Sequence, residues 1–408
     1  MNLKDKHVIL GVTGGIAVYK AADLASKLRQ AGALVDVIMT EAATQFVSPV
    51  TFQAVTGRPV FTGMFQELAG GTSPSAMNIA HVELAHRAHL TIIAPATANT
   101  IAKLSYGLAD ELLCATVLAS SCPLLLAPAM ESHMWLNAAT QENMARLKAR
   151  GTFVVGPGVG HLASGASGPG RMSEVPEILD TARYVLGLAG ALAGRRIVVS
   201  AGGTREPLDP VRYVGNRSSG KMGYAVAYAA RDRGATVTLV SGASEQTPPV
   251  GATVVRVETA AQMRDVVIAA CQQTDALVMA AAVADFRPAQ TSEQKIKKAA
   301  AELSLPLVRT VDILSEANKA FPHLAKIGFA AESENLMQNA RAKLETKGLD
   351  MIVANDITSP GSGFGADTNQ VTLLFKDGRI EALPLMSKAD VAERILDVVE
   401  ELCHERGE

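Results

Sequence analysis

Two stretches of this chain open on the same plan, and together they restrict its fold more than anything else in it. Residues 7–39, HVILGVTGGIAVYKAADLASKLRQAGALVDVIM, read as a strand, a glycine turn, an amphipathic helix, Gly32 and a second strand. Residues 196–242 repeat the order around a long polar insertion, with RIVVSAGG, the helix GYAVAYAARDRGA and the strand TVTLVSG. A short apolar strand that ends in glycine and feeds a helix is how a parallel sheet begins, because parallel neighbours need a crossover connection. The glycine turn then lies at the carboxyl end of the strand, where open α/β sheets hold ligands. The likeness is one of architecture, and no sequence duplication is inferred.

At 408 residues the chain is longer than one ordinary core supports, so each opening is expected to head its own domain, 1–190 and 191–408. The join falls in the small-residue run GLAGALAG at 187–194. Further strands are expected at 90–94, 123–127 and 152–155, then at 253–257, 276–280, 326–329 and 351–354. VTLLFKDGRIEALPL predicts a hairpin turning at Asp377-Gly378, followed by a helix from about Lys388. The alternation predicts two doubly wound α/β domains with mostly parallel sheets.

Composition narrows the partners. A formal charge of −2 gives no reason to expect nucleic acid or an anionic membrane. The cysteines (Cys114, Cys122, Cys271, Cys403) have neither metal-type nor C-x-x-C spacing, so free thiols in a reducing cytoplasm are expected. No apolar run approaches a membrane span, and the opening residues read as a strand and not a signal segment. The expectation is a soluble, cytoplasmic protein.

Residues 194–223, GRRIVVSAGGTREPLDPVRYVGNRSSGKMG, place a long polar loop between a strand and a helix starting near Gly223. Loops of this length are uncommon in compact domains unless they have a function. Thr204, Arg205, Glu206, Asp209, Arg212, Asn216, Arg217, Ser218, Ser219 and Lys221 interleave cations with small hydrogen-bonding residues, a mixture suited to phosphates and carboxylates.

In the first half the turn Gly11-Val-Thr-Gly-Gly-Ile-Ala17 is an incomplete dinucleotide fingerprint, whose physical use would be to hold a phosphate on backbone N–H groups. It is joined by Asn78-Ile-Ala-His-Val-Glu-Leu84, Ala94-Pro-Ala-Thr-Ala-Asn99, Gly107-Leu-Ala-Asp110, Pro128-Ala-Met-Glu-Ser-His-Met-Trp135 and Leu162-Ala-Ser-Gly-Ala-Ser-Gly-Pro-Gly-Arg-Met172. Together these motifs resemble the flavoprotein decarboxylases that act on peptidyl or pantothenoyl cysteine, over residues 5–185. The resemblance implies FMN bound between subunits of a trimer, with Gly14, Gly15, Ile16, Thr40, Pro95, Thr97 and Asn99 as its contacts. It also implies a catalytic His81, with Met130 and Arg171 at the substrate or subunit interface.

Two positions depart from the family pattern: Glu131 stands where asparagine is usual, and Ser164 where the pantothenoylcysteine decarboxylases carry cysteine. That cysteine reprotonates the enethiolate left after CO2 departs, a task suited to a thiol of pKa about 8.5 and not to a serine hydroxyl. Glu131 and Ser164 both stand as catalytic candidates. Either a buried Glu131 of raised pKa, or a water, supplies the proton, or this half is a weak or altered decarboxylase or an assembly module.

In the second half the polar loop is followed by Ala280-Ala-Ala-Val-Ala-Asp-Phe-Arg287, Lys295-Ile-Lys-Lys298, Gly328-Phe-Ala-Ala-Glu332 and Val353-Ala-Asn-Asp356. In this order the motifs resemble phosphopantothenate–cysteine ligase over 194–388, and the two halves together resemble the fused bacterial decarboxylase/ligase family of coenzyme A synthesis. The resemblance implies that CTP activates the carboxylate as an acyl-cytidylate, with Lys295 serving that step and Asn216 the displacement of CMP by cysteine. Mg²⁺ is implied through the nucleotide phosphates, with no protein ligand assigned. Ala282, Asp285, Lys295, Thr310, Val311, Asp312, Ile313, Phe329, Lys343 and Lys347 are the implied nucleotide contacts. Lys343 and Lys347, at i and i+4, can face one phosphate chain. Thr310-Val-Asp-Ile313 replaces the family's Asn-Pro-Asp-Ile, and Arg212 is expected to reach across a dimer interface. Flavin-domain trimers and ligase-domain dimers would build a homo-oligomer, a dodecamer in the family pattern.

Overall fold

The structure, a computed structural model, describes residues 3–64, 80–297, 304–332, 334–356, 363 and 365–406. The chain separates into two compact units, Met1–Leu186 and Gly187–Glu408.

The first unit is built on β1 (His7–Val12), β2 (Leu34–Met39), β3 (Val60–Phe61), β4 (Leu90–Ala96), β5 (Leu124–Pro128) and β6 (Phe153–Val154). They lie in the order β3-β2-β1-β4-β5-β6, and every pairing is parallel. Sheets covered on both faces read as continuous apolar runs, and β4 is buried at every position. The Val18–Gln30 helix buries Val18, Ala21, Leu24, Ala25 and Leu28, one stripe at helical spacing. Truncating Leu24 there to alanine would cost about 2–5 kcal/mol. The helix closes at Gly32, whose φ of +93° lets the N–H of Ala33 reach back to the Leu28 carbonyl at 3.1 Å. Beside the sheet, β7 (Gly158–His161) and β8 (Ser167–Arg171) form an antiparallel ribbon. Its glycine-rich strands read as a loop in sequence.

The second unit contains β9 (Arg196–Ala201), β10 (Arg205–Pro207), β11 (Tyr213–Gly215), β12 (Thr236–Ser241), β13 (Thr253–Arg256), β14 (Ala276–Met279), β15 (Phe286–Pro288) and β16 (Leu307–Arg309). They are followed by β17 (Ala325–Glu332), β18 (Met351–Asp356), β19 (Thr368–Asn369), β20 (Val371–Phe375), β21 (Ile380–Ala382) and β22 (Met386–Ser387). The main sheet runs β13-β12-β9-β14-β17-β18-β20-β21, parallel as far as β18 and antiparallel beyond it. The hairpin at Asp377-Gly378 and the terminal Lys388–Glu405 helix are both present.

Both units are thus doubly wound, and in both the first strand lies beside the second and the fourth parallel strand. The Lys221–Asp232 helix begins two residues earlier than the sequence reading set it. A Cβ on Gly223 would lie 2.7 Å from the Ser200 carbonyl oxygen, so only glycine lets this helix pack so closely on β9. The polar loop before it is not a plain loop, because β10 and β11 pair as an antiparallel ribbon. Another ribbon joins β15 and β16. Strands of three residues carry too little alternation to be read from sequence.

Candidate active sites

In a doubly wound sheet the crossovers leave in opposite directions at one point, and a crevice opens there beyond the carboxyl ends of the strands. In the first unit that point lies between β1 and β4. The buried Thr13 hydroxyl spans it, donating to the Pro95 carbonyl at 2.6 Å and accepting from the Thr97 N–H at 3.1 Å. Thr97 in turn caps the Ala98–Tyr106 helix. The Val18–Gln30 helix has no side-chain cap at Ala17, so its first-turn N–H groups lack the usual side-chain acceptor.

A cavity of about 810 Å³ opens over these turns. Gly14, Gly15, Ile16, Thr40, Thr97 and Asn99 line it, as do Met130, Glu131, Ser164 and Arg171. Pro95 is not on the wall but lies buried behind it, supplying the carbonyl that Thr13 holds. His81, second residue of the Ala80–Arg87 helix, is also off the wall within one chain. Its Nδ1 is buried without a hydrogen-bond partner among the described residues. Asn78 and Ile79 of its motif lie outside the described residues.

Glu131 differs from expectation. Its carboxylate caps the Ser132–Leu136 helix, accepting from the N–H groups of His133 (2.6 Å) and Met134 (3.3 Å) and meeting the His133 Nδ1 at 3.2 Å. Burial pushes its pKa up, but the bonds from His133 and Met134 outweigh that and hold it below the ordinary carboxylate value. Glu131 is therefore an ionised acceptor at neutral pH and not the proton donor that the sequence suggested. Ser164 lies exposed between the strands of the β7–β8 ribbon.

Sequence reasoning named Arg171 but missed Lys20, His161 and Glu174 beside it. Lys20 and Arg171 converge on Glu174, at 2.9 and 2.7 Å, and both cations line the cavity. His161 lines it too, its Nδ1 3.3 Å from the Ser167 hydroxyl. Lys20 reaches Glu174 from 154 residues away, so nothing in its local spacing marks it. Ala98, Met134, Leu162 and Met172 add an apolar stretch of wall, and Glu41, Thr100 and Glu111 add polar groups elsewhere on it. Threonine and asparagine donors, an uncapped helix start and an apolar slot suit a flat aromatic ring with a phosphate tail. The one cluster of metal-type side chains among the described residues, Asp110, Glu111 and Cys114, is met by Lys103, whose Nζ is 2.9 Å from Asp110.

The second unit repeats the arrangement between β9 and β14. Gly203 bridges to Ala243 and Ala282, and the Thr204 hydroxyl accepts the Ala284 N–H at 2.9 Å. Thr310 donates to the Ala284 carbonyl at 2.6 Å, and the Asn216 side-chain amide donates to the Val283 carbonyl at 3.1 Å. A cavity of about 870 Å³ follows, lined by Asn216, Ala282, Asp285, Thr310, Val311, Asp312, Ile313, Phe329, Lys343 and Lys347. Ser218, Ser219 and Lys221 add the start of the Lys221–Asp232 helix, which has no side-chain cap.

Asp312 caps the Ile313–Ala320 helix through the Ser315 N–H at 3.1 Å and pairs with the Lys347 ammonium at 3.2 Å. Burial raises its pKa, but the Ser315 bond and the Lys347 charge outweigh this and leave it lowered. At the far end of the cavity Lys388, missed in sequence, donates to the carbonyls of Gly363 and Ala366. Lys221 holds the Gly365 carbonyl (2.8 Å) and Asp367 (2.6 Å).

Two implied residues stand apart. Lys295 is exposed and off this wall, and Lys298 lies outside the described residues. Arg212 is engaged by its own chain, with Nη1 donating to Asp209 at 3.1 Å and to the Ile296 carbonyl at 3.2 Å.

Comparison with known proteins agrees with this division. Residues 1–187 match the family described as Flavoprotein, and residues 192–402 the DNA/pantothenate metabolism flavoprotein C-terminal domain. The coenzyme A biosynthesis bifunctional protein CoaBC of Bacillus subtilis is 46% identical over 100% of this chain and 99% of its own length. The protein of the same name from Mycolicibacterium smegmatis is 45% identical over 97% of each chain. A solved C-terminal domain of a CoaBC protein, 42% identical, covers 53% of this chain and 99% of its own, with a TM-score of 0.46. No described helix is long and apolar enough to cross a membrane. With two parallel-sheet units, a cavity at the switch point of each, and full-length relatives of one kind, the chain belongs to the bifunctional coenzyme A biosynthesis proteins that join a flavoprotein decarboxylase to a ligase.

Proposed function

We propose that this chain makes 4′-phosphopantetheine from 4′-phosphopantothenate and cysteine, with residues 191–408 as a CTP-dependent ligase and residues 1–190 as an FMN-dependent decarboxylase. The observation that carries the reading is the second cavity, where Asn216, an uncapped helix start and two lysines line one space.

A carboxylate accepts an amine only after its oxygen gains a leaving group. The pantothenate carboxylate attacks the α-phosphorus of CTP, forming a P–O bond and expelling pyrophosphate. Negative charge gathers on phosphoryl oxygens, so Lys343, Lys347 and the N–H groups of the Lys221–Asp232 helix favour this step, with Mg²⁺ carried on the phosphates. Lys295 is assigned to the same step. Ala282, Asp285, the 310–313 segment and Phe329 hold the nucleoside. The cysteine amine then attacks the acyl carbon. A C–N bond forms, the bond to CMP breaks, and the amine sheds its proton to solvent. Asn216 stabilises the acyl oxygen while it carries charge.

In the first unit, FMN when bound supplies the two-electron oxidation of the cysteinyl carbon–sulfur unit that allows CO2 to leave. The Gly14–Ile16 turn and the uncapped helix after it would hold the phosphate, and Thr97 and Asn99 would meet the ring. Met130, Met134 and Leu162 keep water from it. With Glu131 ionised and serine at 164, protonation of the substrate carbon is assigned to His161, the side-chain type that exchanges protons near neutral pH. Exposed Ile16 and Tyr19 beside this cavity, and exposed Val211, Tyr213, Phe286 and Leu307 on the ribbons of the second unit, support self-association, with His81 completing a site shared between subunits. Cysteines that form no disulfide suit a reducing cytoplasm.

The test is direct. Purified protein given 4′-phosphopantothenate, cysteine and CTP releases pyrophosphate and then CO2; absence of CTP-dependent pyrophosphate refutes the ligase reading.

A further inference from the structure

Lys295 is exposed and off the cavity wall, yet the chain around it is not loosely held. Residues 291–296 are fastened to the β10–β11 ribbon at several points. The Thr291 hydroxyl donates to the Pro207 carbonyl (3.1 Å) and the Ser292 N–H to the Leu208 carbonyl (3.0 Å). Next to Lys295, the Ile296 N–H donates to Asp209 Oδ2 at 3.2 Å and the Ile296 carbonyl accepts from Arg212 Nη1 at 3.2 Å.

Asp209 is the centre of this arrangement. Its side chain is fully buried, and its two oxygens divide the work. Oδ1 accepts the N–H groups of Val211 (2.8 Å) and Arg212 (2.9 Å), which shapes the turn between β10 and β11. Oδ2 accepts the Arg212 guanidinium (3.1 Å) and the Ile296 N–H, which reaches across to the segment bearing Lys295. The same ribbon runs from β11 directly into Asn216 on the cavity wall. A turn alone needs only Oδ1. Burial of a second oxygen against a main-chain donor 87 residues away is a long-range tie.

We propose that Asp209 is the positioning residue for Lys295, fixing the main chain beside it so that the ammonium serves the carboxylate-activating half-reaction. The inference rests on the assignment of Lys295 to that step. It predicts that loss of the tie slows transfer to the nucleotide phosphorus and spares the later attack of cysteine, which depends on Asn216.

Asp209→Asn separates the two roles. Its Oδ1 still accepts from Val211 and Arg212, but an NH2 group replaces Oδ2 and faces two donors. In the full-length protein, pyrophosphate release from CTP and 4′-phosphopantothenate is expected to fall about 10–100-fold in kcat, the scale of a displaced catalytic group, with the KM for CTP little changed. Reaction of preformed acyl-cytidylate with cysteine stays at the parent rate, as does CO2 release from phosphopantothenoylcysteine. In a Lys295→Gln background the same substitution adds no further loss, because it acts through Lys295. Equal slowing of both ligase half-reactions, an unchanged first half-reaction, or full additivity with Lys295→Gln overturns the proposal. If parent protein releases no pyrophosphate, or Lys295→Gln releases it at the parent rate, the assignment beneath it fails and the inference falls with it. The two failures are told apart by the parent and Lys295→Gln controls.

Discussion

The side-chain amide of Asn216 donates to the main-chain carbonyl of Val283 across 3.1 Å, joining the polar insertion after β9 to the turn after β14. One amide hydrogen is thereby fixed to the scaffold, and the remaining N–H and Oδ1 are held at the cavity wall without a mobile rotamer to order. A group that must meet charge only when it develops is best held in this way.

Asn216→Ala should therefore leave first-turnover pyrophosphate release near the parent rate and slow the cysteine step by about 10²–10³-fold, the usual loss for one oxyanion donor. Mass spectrometry of quenched mixtures would show accumulating acyl-cytidylate. Equal slowing of both half-reactions would contradict the role.

Thr13 performs the corresponding joining role in the first unit. Thr13→Val keeps the shape but leaves the Pro95 carbonyl and Thr97 N–H without their partner, at a cost of about 1–3 kcal/mol for each buried group left unsatisfied. Calorimetry should show a lower Tm for the first unit, and the purified variant should retain less flavin by absorbance. The second unit should melt as in the parent.

Asp312 gives the ligase half a dependence on acid. Its carboxyl is held below the ordinary value, so the folded protein binds this proton less readily than the unfolded chain. Its contribution is complete above the ordinary carboxylate pKa of about 3.9 and is lost as pH falls through the lowered folded value. Asp312→Ala should cost about 0.5–2 kcal/mol at neutral pH through loss of the helix cap, and that difference should shrink in acid. Urea titrations at neutral and acid pH measure both.

Glu131 and His161 separate two sources for the substrate proton. Because Glu131 is an ionised helix cap, Glu131→Gln should still yield saturated 4′-phosphopantetheine. His161→Gln should raise the share of unsaturated enethiol in the product, read by a mass two hydrogens lighter. Unaltered product from the His161 variant would return the role to solvent.

The sheets were legible in sequence because buried parallel strands are continuous apolar runs and the helices between them carry one buried stripe, as Leu24 and Leu28 show. The ribbons were not, since Arg205–Pro207 and Tyr213–Gly215, though they pair with each other, are too short to alternate. Cavity residues such as Gly14, Asn216 and Asp285 were reached through the family motifs that carry them. Lys20, His161 and Lys388 were not, because tertiary packing alone brings them there. The environment of Glu131 was misjudged for a related reason: a proline-led motif announces a turn but does not disclose that the next helix takes the carboxylate as its cap.

If one chain carries both half-pathways, a single time course shows both. Full-length protein reconstituted with FMN and supplied with 4′-phosphopantothenate, cysteine, CTP and Mg²⁺ is quenched at intervals and every intermediate weighed by mass. Acyl-cytidylate is expected first, then phosphopantothenoylcysteine, then 4′-phosphopantetheine with matching CO2. No CTP-dependent intermediate, or a conjugate that accumulates without loss of CO2, would contradict this.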